Sequence, residues 1–297
     1  MELSVVVSTL NGRDRLPACL EALRADAPAA EVVVVNGPSS DGTAGMVVER
    51  DDVDVLVEIA DRSESVARNA GYLATTGDVV AFLGDDCVVD EGWFEAIERA
   101  IGAGGCVVTG PTGARENGRD DRSGSRVAGR AVTHFEADNV AFSRPVLEKL
   151  DGFDEYLPLG GARDAAHRLS GMDVGVVWRG DVRVRRRVGT DGGEHHAWGP
   201  TYRAYGYRLG KNYGPRPTIL ARGLARGGAD ALAGLSRVTD GEETLTGWLA
   251  DGRHVVGNAL GGFRDGLRAR RLDPPPRRNP SGASSRWDRA VRIEDWR

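Results

Sequence analysis

The chain has 297 residues and a formal net charge of −5, with acidic side chains in slight excess over basic ones. That length holds one large α/β domain with an extension, or two small domains. The charge balance excludes an overall basic footprint for nucleic acid, and three scattered cysteines, Cys19, Cys87 and Cys106, exclude a disulfide framework or a zinc ribbon. No apolar window reaches the length of a bilayer span, and the first residues enter a strand-like run without a charged leader pattern. A cytoplasmic protein is expected, with any membrane contact peripheral.

Leu3 to Ser8 is an apolar, β-branched run, followed by Asn11-Gly12 and a helical pattern in Leu16, Leu20 and Leu23. Glu31 to Val35 repeats the scheme, then Asn36 to Gly42 form a loop and Thr43 to Arg50 a helix. Val53 to Ile59 predicts a third strand, Ser65 to Ala74 a helix, and Val79 to Leu83 a fourth strand ending on Gly84-Asp85-Asp86. Strands apolar on both faces that alternate with helices indicate a parallel sheet covered on both sides. Trp93 to Ile101 is helical and Cys106 to Gly110 a strand, while the Gly- and Arg-rich stretch from Ala114 to Gly129 predicts a mobile loop. Val132 to Phe142 reads as strand, Pro145 to Leu150 and Asp164 to Ser170 as helices, and Val174 to Trp178 and Val182 to Val188 as final strands. Beyond Gly189 the pattern changes to Arg-rich amphipathic helices, and Asp273-Pro274-Pro275-Pro276 introduces a polar, poorly packed tail.

Ligands of open α/β sheets collect at the carboxyl ends of the parallel strands. The loops after the first, second and fourth strands carry Thr9 to Asn11, Asn36 to Asp41, and Gly84 to Asp86. Two adjacent carboxylates leaving a buried strand repel each other unless a cation or proton lies between them. A hard divalent ion that also binds phosphates accounts for Asp85-Asp86; a solvated turn before the helix at Trp93, with Asp90 as its cap, accounts for it equally well.

Successive blocks then resemble the family 2 glycosyltransferases: Ser4 to Asn11, Glu31 to Val35 with Ser39-Ser40-Asp41-Gly42-Thr43, Ala67-Arg68-Asn69-Ala70-Gly71, and Gly77 to Leu83 before the acidic pair. Asn139 to Arg144 and Gly152-Phe153-Asp154-Glu155 resemble the acceptor-side blocks of that family, so the likeness covers roughly the first 190 residues. It implies a GT-A fold, a mostly parallel Rossmann-like sheet flanked by helices, and transfer of a sugar from a nucleotide-sugar donor to a glycan or lipid-linked acceptor with inversion. Thr9, Asn11, Asn36 and Asp41 would then form the nucleotide side, with Arg68 and Asn69 under the donor and Asp85 near its ribose or sugar. Asp86 would hold a divalent metal, Mg²⁺ or Mn²⁺, with His195 as a candidate further ligand. The expected division is a catalytic domain over residues 1–188, an Arg-rich helical extension over 189–272 and the tail over 273–297.

Three departures stand out. Asn36 and Gly84 replace acids that the family usually carries, and the usual Glu-Asp of the catalytic base falls on Gly161 and Ala162. Asp164 is the nearest carboxylate and the expected base for a hydroxyl acceptor; a phosphate acceptor, already anionic, needs none. Val256, Leu260, Phe263 and Leu267 recur at helical spacing beside Arg264, Arg268, Arg270 and Arg271. That stripe either packs on its own domain or lies on the inner face of an anionic membrane. A sugar nucleotidyltransferase and a non-catalytic GT-A scaffold are the rival readings, the first weakened by the short Asn11-Gly12-Arg13 loop.

Overall fold

The computed structural model describes residues 1–113, 124–186, 198–219, 221–223, 225, 227 and 245–297. The first half alternates strand and helix: β1 (Leu3–Thr9), α1 (Leu16–Asp26), β2 (Glu31–Asn36), α2 (Thr43–Val48), β3 (Val55–Ile59), α3 (Glu64–Ala74) and β4 (Val79–Gly84). A short β5 (Cys87–Val89), α4 (Trp93–Gly102), β6 (Val107–Thr109), β7 (Ser125–Val127), β8 (Arg130–Val132) and β9 (Asn139–Ser143) follow. After α5 (Arg144–Leu150), α6 (Gly161–Gly171), β10 (Val177–Trp178) and β11 (Val184–Arg186) come two long helices, α7 (Trp198–Tyr213) and α8 (Leu245–Leu272), and finally β12 (Ala290–Asp295).

Eight of these strands form one sheet in the order β10-β6-β9-β4-β1-β2-β3-β12. β4, β1, β2 and β3 run parallel, whereas β9 is antiparallel to both β4 and β6. Alternate side chains of each central strand enter opposite layers. Val6, Val33, Val80 and Phe82 pack with α3, α5 and α6, and Val5, Val7, Val34, Ala81 and Leu83 pack with α1 and α4. Each fully buried side chain of this kind contributes about 1.5–3 kcal/mol. Polar groups are thereby driven off the strands to their carboxyl ends.

α7 and α8 pack with their backbones nearly touching. Gly206 and Gly210 on one helix face Ala259 and Phe263, and Gly262 and Gly266 on the other face Arg203 and Tyr207. A Cβ on Gly266 would stand 2.2 Å from the Tyr207 carbonyl oxygen, so this crossing tolerates no side chain there. The hydrophobic stripe expected on α8 divides: Phe263 packs against the core, while Val256 and Leu260 are exposed.

Three expectations need correction. Residues 114–123 of the expected mobile loop lie outside the described residues, but its end is ordered, because Ser125–Val127 pairs antiparallel with Arg130–Val132. The strand expected from Val132 to Phe142 is two strands, with β8 ending at Val132 and β9 beginning at Asn139. The tail is not poorly packed: β12 adds antiparallel to β3 as the eighth strand, and Asn279, Ala283 and Arg289 are buried. Few apolar residues were needed, since Arg289 and Arg286 are held by Glu155, and Asn279 donates to the Asp151 carbonyl at 2.8 Å.

Gly266→Val is expected to lower stability by about 1–3 kcal/mol through overpacking of the helix pair. Urea denaturation measures it, and an unchanged midpoint would mean the two helices do not meet backbone to backbone.

Candidate functional site

The carboxyl ends of β1, β3 and β4 open into a cleft of 590 Å³. Its lining includes Thr9 at the end of β1, Asn11 and Arg15 after it, Asp61 and Arg62 before α3, Glu64 at its start, and Arg68, Asp85, Asp86, Asp138 and Arg186. Asp85 is tied down: its carboxylate accepts from the Thr9 hydroxyl at 2.7 Å and pairs with Arg15 at 2.9 Å. Asp86, next in the chain, faces a different set of groups. Arg186 approaches it at 3.3 Å, and burial pushes its carboxyl above the ordinary range, only partly offset by that arginine.

Asp138, from the turn before β9, stands beside Gly84. A Cβ on Gly84 would lie 3.0 Å from an Asp86 carboxylate oxygen and 3.2 Å from the Asp138 Cβ. The glycine therefore leaves room for the Asp138 side chain beside Asp86. Arg68 donates to one Asp138 oxygen at 2.8 Å and Arg186 bonds the other. Sequence reasoning missed Asp138 and Arg186. The first adjoins the quoted block beginning at Asn139, but its partner depends on the β4–β9 pairing. The second is one of several arginines in a row, singled out only by the register that sets Arg186 opposite Cys87.

Hard divalent ions are commonly held by one or two carboxylates together with substrate phosphate oxygens rather than by an all-protein cage. Asp86 and Asp138 fit that donor set. Among the described residues no three His, Cys, Asp or Glu side chains are gathered to hold an ion unaided. Burial and the neighbouring Asp86 push the Cys87 thiol up to about 12. His195 lies outside the described residues.

The remaining expected residues fall into two groups. Thr9, Asn11, Arg68, Asp85 and Asp86 line the cleft; Asn36, Asp41, Asn69 and Asp164 do not. Asn36 is buried and accepts from the Ser39 hydroxyl at 2.7 Å. Asp41 closes its loop by accepting from the Thr43 backbone at 3.0 Å and the Arg13 backbone at 3.1 Å. Asn11 joins the two loops by accepting from the Ser40 backbone at 2.8 Å. Asn69, expected under the donor, is a buried clamp instead: its amide accepts from the Phe153 nitrogen and donates to the Phe153 carbonyl, fixing α3 to the Gly152-Phe153-Asp154 turn.

Asp164 is the larger correction. It is fully buried at the start of α6, its carboxylate held by Arg168 at 2.8 Å, Lys211 at 2.7 Å and Asn212 at 2.9 Å. Burial opposes its charge, but Lys211 and Arg168 overcome this and hold the carboxyl well below the ordinary carboxylate range. Lys211 also bonds Asp154, which accepts from the Tyr207 hydroxyl at 2.9 Å. A group so enclosed cannot reach an acceptor hydroxyl, and its work is to dock α7 on the sheet domain.

A mostly parallel sheet with a cleft at the carboxyl ends of its strands, an acidic pair leaving the fourth strand and a helical carboxyl-terminal region make up an α/β fold of GT-A type. Residues 4–151, just under half of the chain, match the family described as Glycosyl transferase family 2. Glycosyltransferase AglE of Haloferax volcanii is 26% identical over 197 residues, 61% of this chain and 65% of that relative, so the chain spans about two-thirds of its length. Among solved structures, the mannosyltransferase PcManGT of Pyrobaculum calidifontis, in complex with GDP-Man and Mn²⁺, superposes with a TM-score of 0.60 at 19% identity, over 89% of this chain and 87% of that one. S. aureus TarS 1-349 in complex with UDP-GlcNAc gives 0.60 at 16% identity, over 92% of both chains.

Asp164→Asn is expected to cost about 3–5 kcal/mol, because it leaves buried Lys211 and Arg168 undercompensated. The wild-type carboxyl is held low in the native state, so its stabilising contribution is complete above the ordinary carboxylate range and is lost as pH falls toward the lowered native value. Urea midpoints of wild type and variant should therefore differ at neutral pH and converge only in strong acid. Equal midpoints at neutral pH would contradict the structural role.

Proposed function

We propose that the chain transfers a sugar, with inversion, from a nucleotide-sugar donor to a glycan or lipid-linked acceptor, assisted by Mg²⁺ or Mn²⁺ held at Asp86. The observation that supports this best is the pair of carboxylates, Asp86 and Asp138, brought together from the ends of two neighbouring strands in a cleft that Arg15, Arg62, Arg68 and Arg186 also line. In the reaction the bond between the anomeric carbon and the diphosphate oxygen breaks, its electron pair leaving with the diphosphate, while an acceptor oxygen bonds the same carbon from the opposite side. A divalent ion bound at Asp86 supplies countercharge to the leaving diphosphate. Arg15, anchored on Asp85, and Arg68, anchored on Asp138, keep fixed positive charge beside the donor and need no reorganisation when charge develops.

The burial of Asp164 bears on the acceptor. A hydroxyl must give up its proton to a base within reach, and the expected one, Asp164, is enclosed in the core. An acceptor that ends in phosphate arrives as an anion and needs no such group, and the enclosure of Asp164 is what supports proposing a phosphate-terminated, lipid-linked acceptor. The exposed face of α8 suits that substrate: Val256 and Leu260 share it with the exposed Arg253, Arg264 and Arg268. Among the described residues no helix is long and apolar enough to cross a membrane; we propose a cytoplasmic protein that meets the inner face of the cell membrane through α8.

Asp86→Ala is expected to weaken Mn²⁺-dependent binding of GDP or UDP at least about tenfold, and Asp85→Ala, whose partners are Thr9 and Arg15, to weaken it less. Calorimetric titration measures both, and unchanged affinity in the Asp86 variant would place the site elsewhere. The chain should also co-float with phosphatidylglycerol vesicles and not with neutral phosphatidylcholine ones, and Arg264→Glu/Arg268→Glu should abolish flotation; equal flotation of the double variant would remove the membrane from the proposal.

A further inference from the structure

Arg186 occupies a peculiar place in this cleft. β11 pairs antiparallel with β5, and the register that sets Arg186 against Cys87 aims its guanidinium back across the end of β4. There it spans the two carboxylates, bonding one Asp138 oxygen and standing 3.3 Å from Asp86. The other Asp138 oxygen is taken by Arg68. The two carboxylates are therefore matched by two guanidinium groups: both Asp138 oxygens accept charge-assisted hydrogen bonds, and Arg186 forms an ion pair with Asp86.

The two arginines differ in freedom. The Arg68 side chain is 6% exposed and packs over the Phe153 ring, whereas that of Arg186 is 43% exposed. Arg186 can withdraw with little loss of packing. A divalent ion added while both arginines remain would leave the group with an excess of positive charge, which a diphosphate of two or more negative charges neutralises. A planar guanidinium is also well matched to phosphate oxygens.

We propose that Arg186 is a tethered cation that competes with a divalent ion for the Asp86 and Asp138 carboxylates, and would transfer to the donor's diphosphate when an ion displaces it. The inference rests on reading the cleft as a metal-assisted nucleotide-sugar site. Arg186 then acts as a positioning residue with two alternative partners, and it couples ion and nucleotide binding: each ligand removes an obstacle to the other. The free ion binds weakly because it must displace an intramolecular competitor. The nucleotide gives the displaced guanidinium somewhere to go.

The test is a titration of Mn²⁺ into the full chain, followed by calorimetry or electron paramagnetic resonance, with and without GDP or UDP. In Arg186→Gln, Mn²⁺ alone should bind about tenfold tighter than in wild type, while nucleotide affinity at saturating Mn²⁺ falls about tenfold. Arg186→Lys, which keeps the charge, should lie between the two. A merely structural role would weaken both ligands together. Unchanged or weaker Mn²⁺ binding by Arg186→Gln overturns the proposal. If that happens while Asp86→Ala abolishes Mn²⁺ binding, the reading of the cleft stands and only the role of Arg186 falls. If Mn²⁺ binds wild type and Asp86→Ala alike, or binds neither wild type nor Arg186→Gln, the cleft reading and the role of Arg186 fall together.

Discussion

The central strands of this sheet are buried on both faces, and that constraint organises everything else. A strand such as β4, with every residue from Val79 to Gly84 buried, has no face on which a charge can be solvated, so the charged groups appear only where the strand ends. Asp85 and Asp86 are the first residues past that limit, and the parallel neighbours end at the same level. The cleft is thus a product of sheet geometry before it is a product of any single residue. It concentrates carboxylates and guanidinium groups in one place because the interior excludes them.

One group of charges escapes this rule, and at a cost offset only by mutual satisfaction. Lys211 lies between Asp154 and Asp164 with no solvent access, and Arg168 and Asn212 complete the set. Removing water from four charges is unfavourable unless each finds close partners. Here they do, and the arrangement joins three separate stretches of chain: the Gly152-Phe153-Asp154 turn, the start of α6 and the end of α7. It specifies where the helical region docks, a task that nonspecific apolar contact performs less uniquely.

The sequence made the parallel core legible because Val5 to Val7, Val32 to Val35 and Val79 to Leu83 are unbroken apolar runs between helical patterns, and the cleft position of Asp86 followed from its place after the last run. Asp138 and Arg186 were not legible. Both reach Asp86 through antiparallel pairings, β9 on β4 and β11 on β5, that no local pattern specifies. Asn69 and Asp164 show the converse limit: a motif position locates a residue along the chain but not the direction its side chain takes, and both turn into the core. Taken singly, the glycines at 206, 210, 262 and 266 only weaken a helix. They are the contact surface of the helix pair, visible only when the two helices are considered together.

The return of the chain to the sheet at β12 makes the helical region an insertion rather than an appendage. Its two attachment points are both on the sheet domain, so it cannot swing away on a single hinge, and any rocking of α7 against α8 must be shared by both ends. Residues 290–295 pair with 55–59 across more than two hundred residues of intervening chain. During synthesis the parallel core can therefore condense around β1 to β4 well before its outer edge is covered. For that interval the free edge of β3 is an open template for strand addition, and the arrival of β12 is the step that closes it.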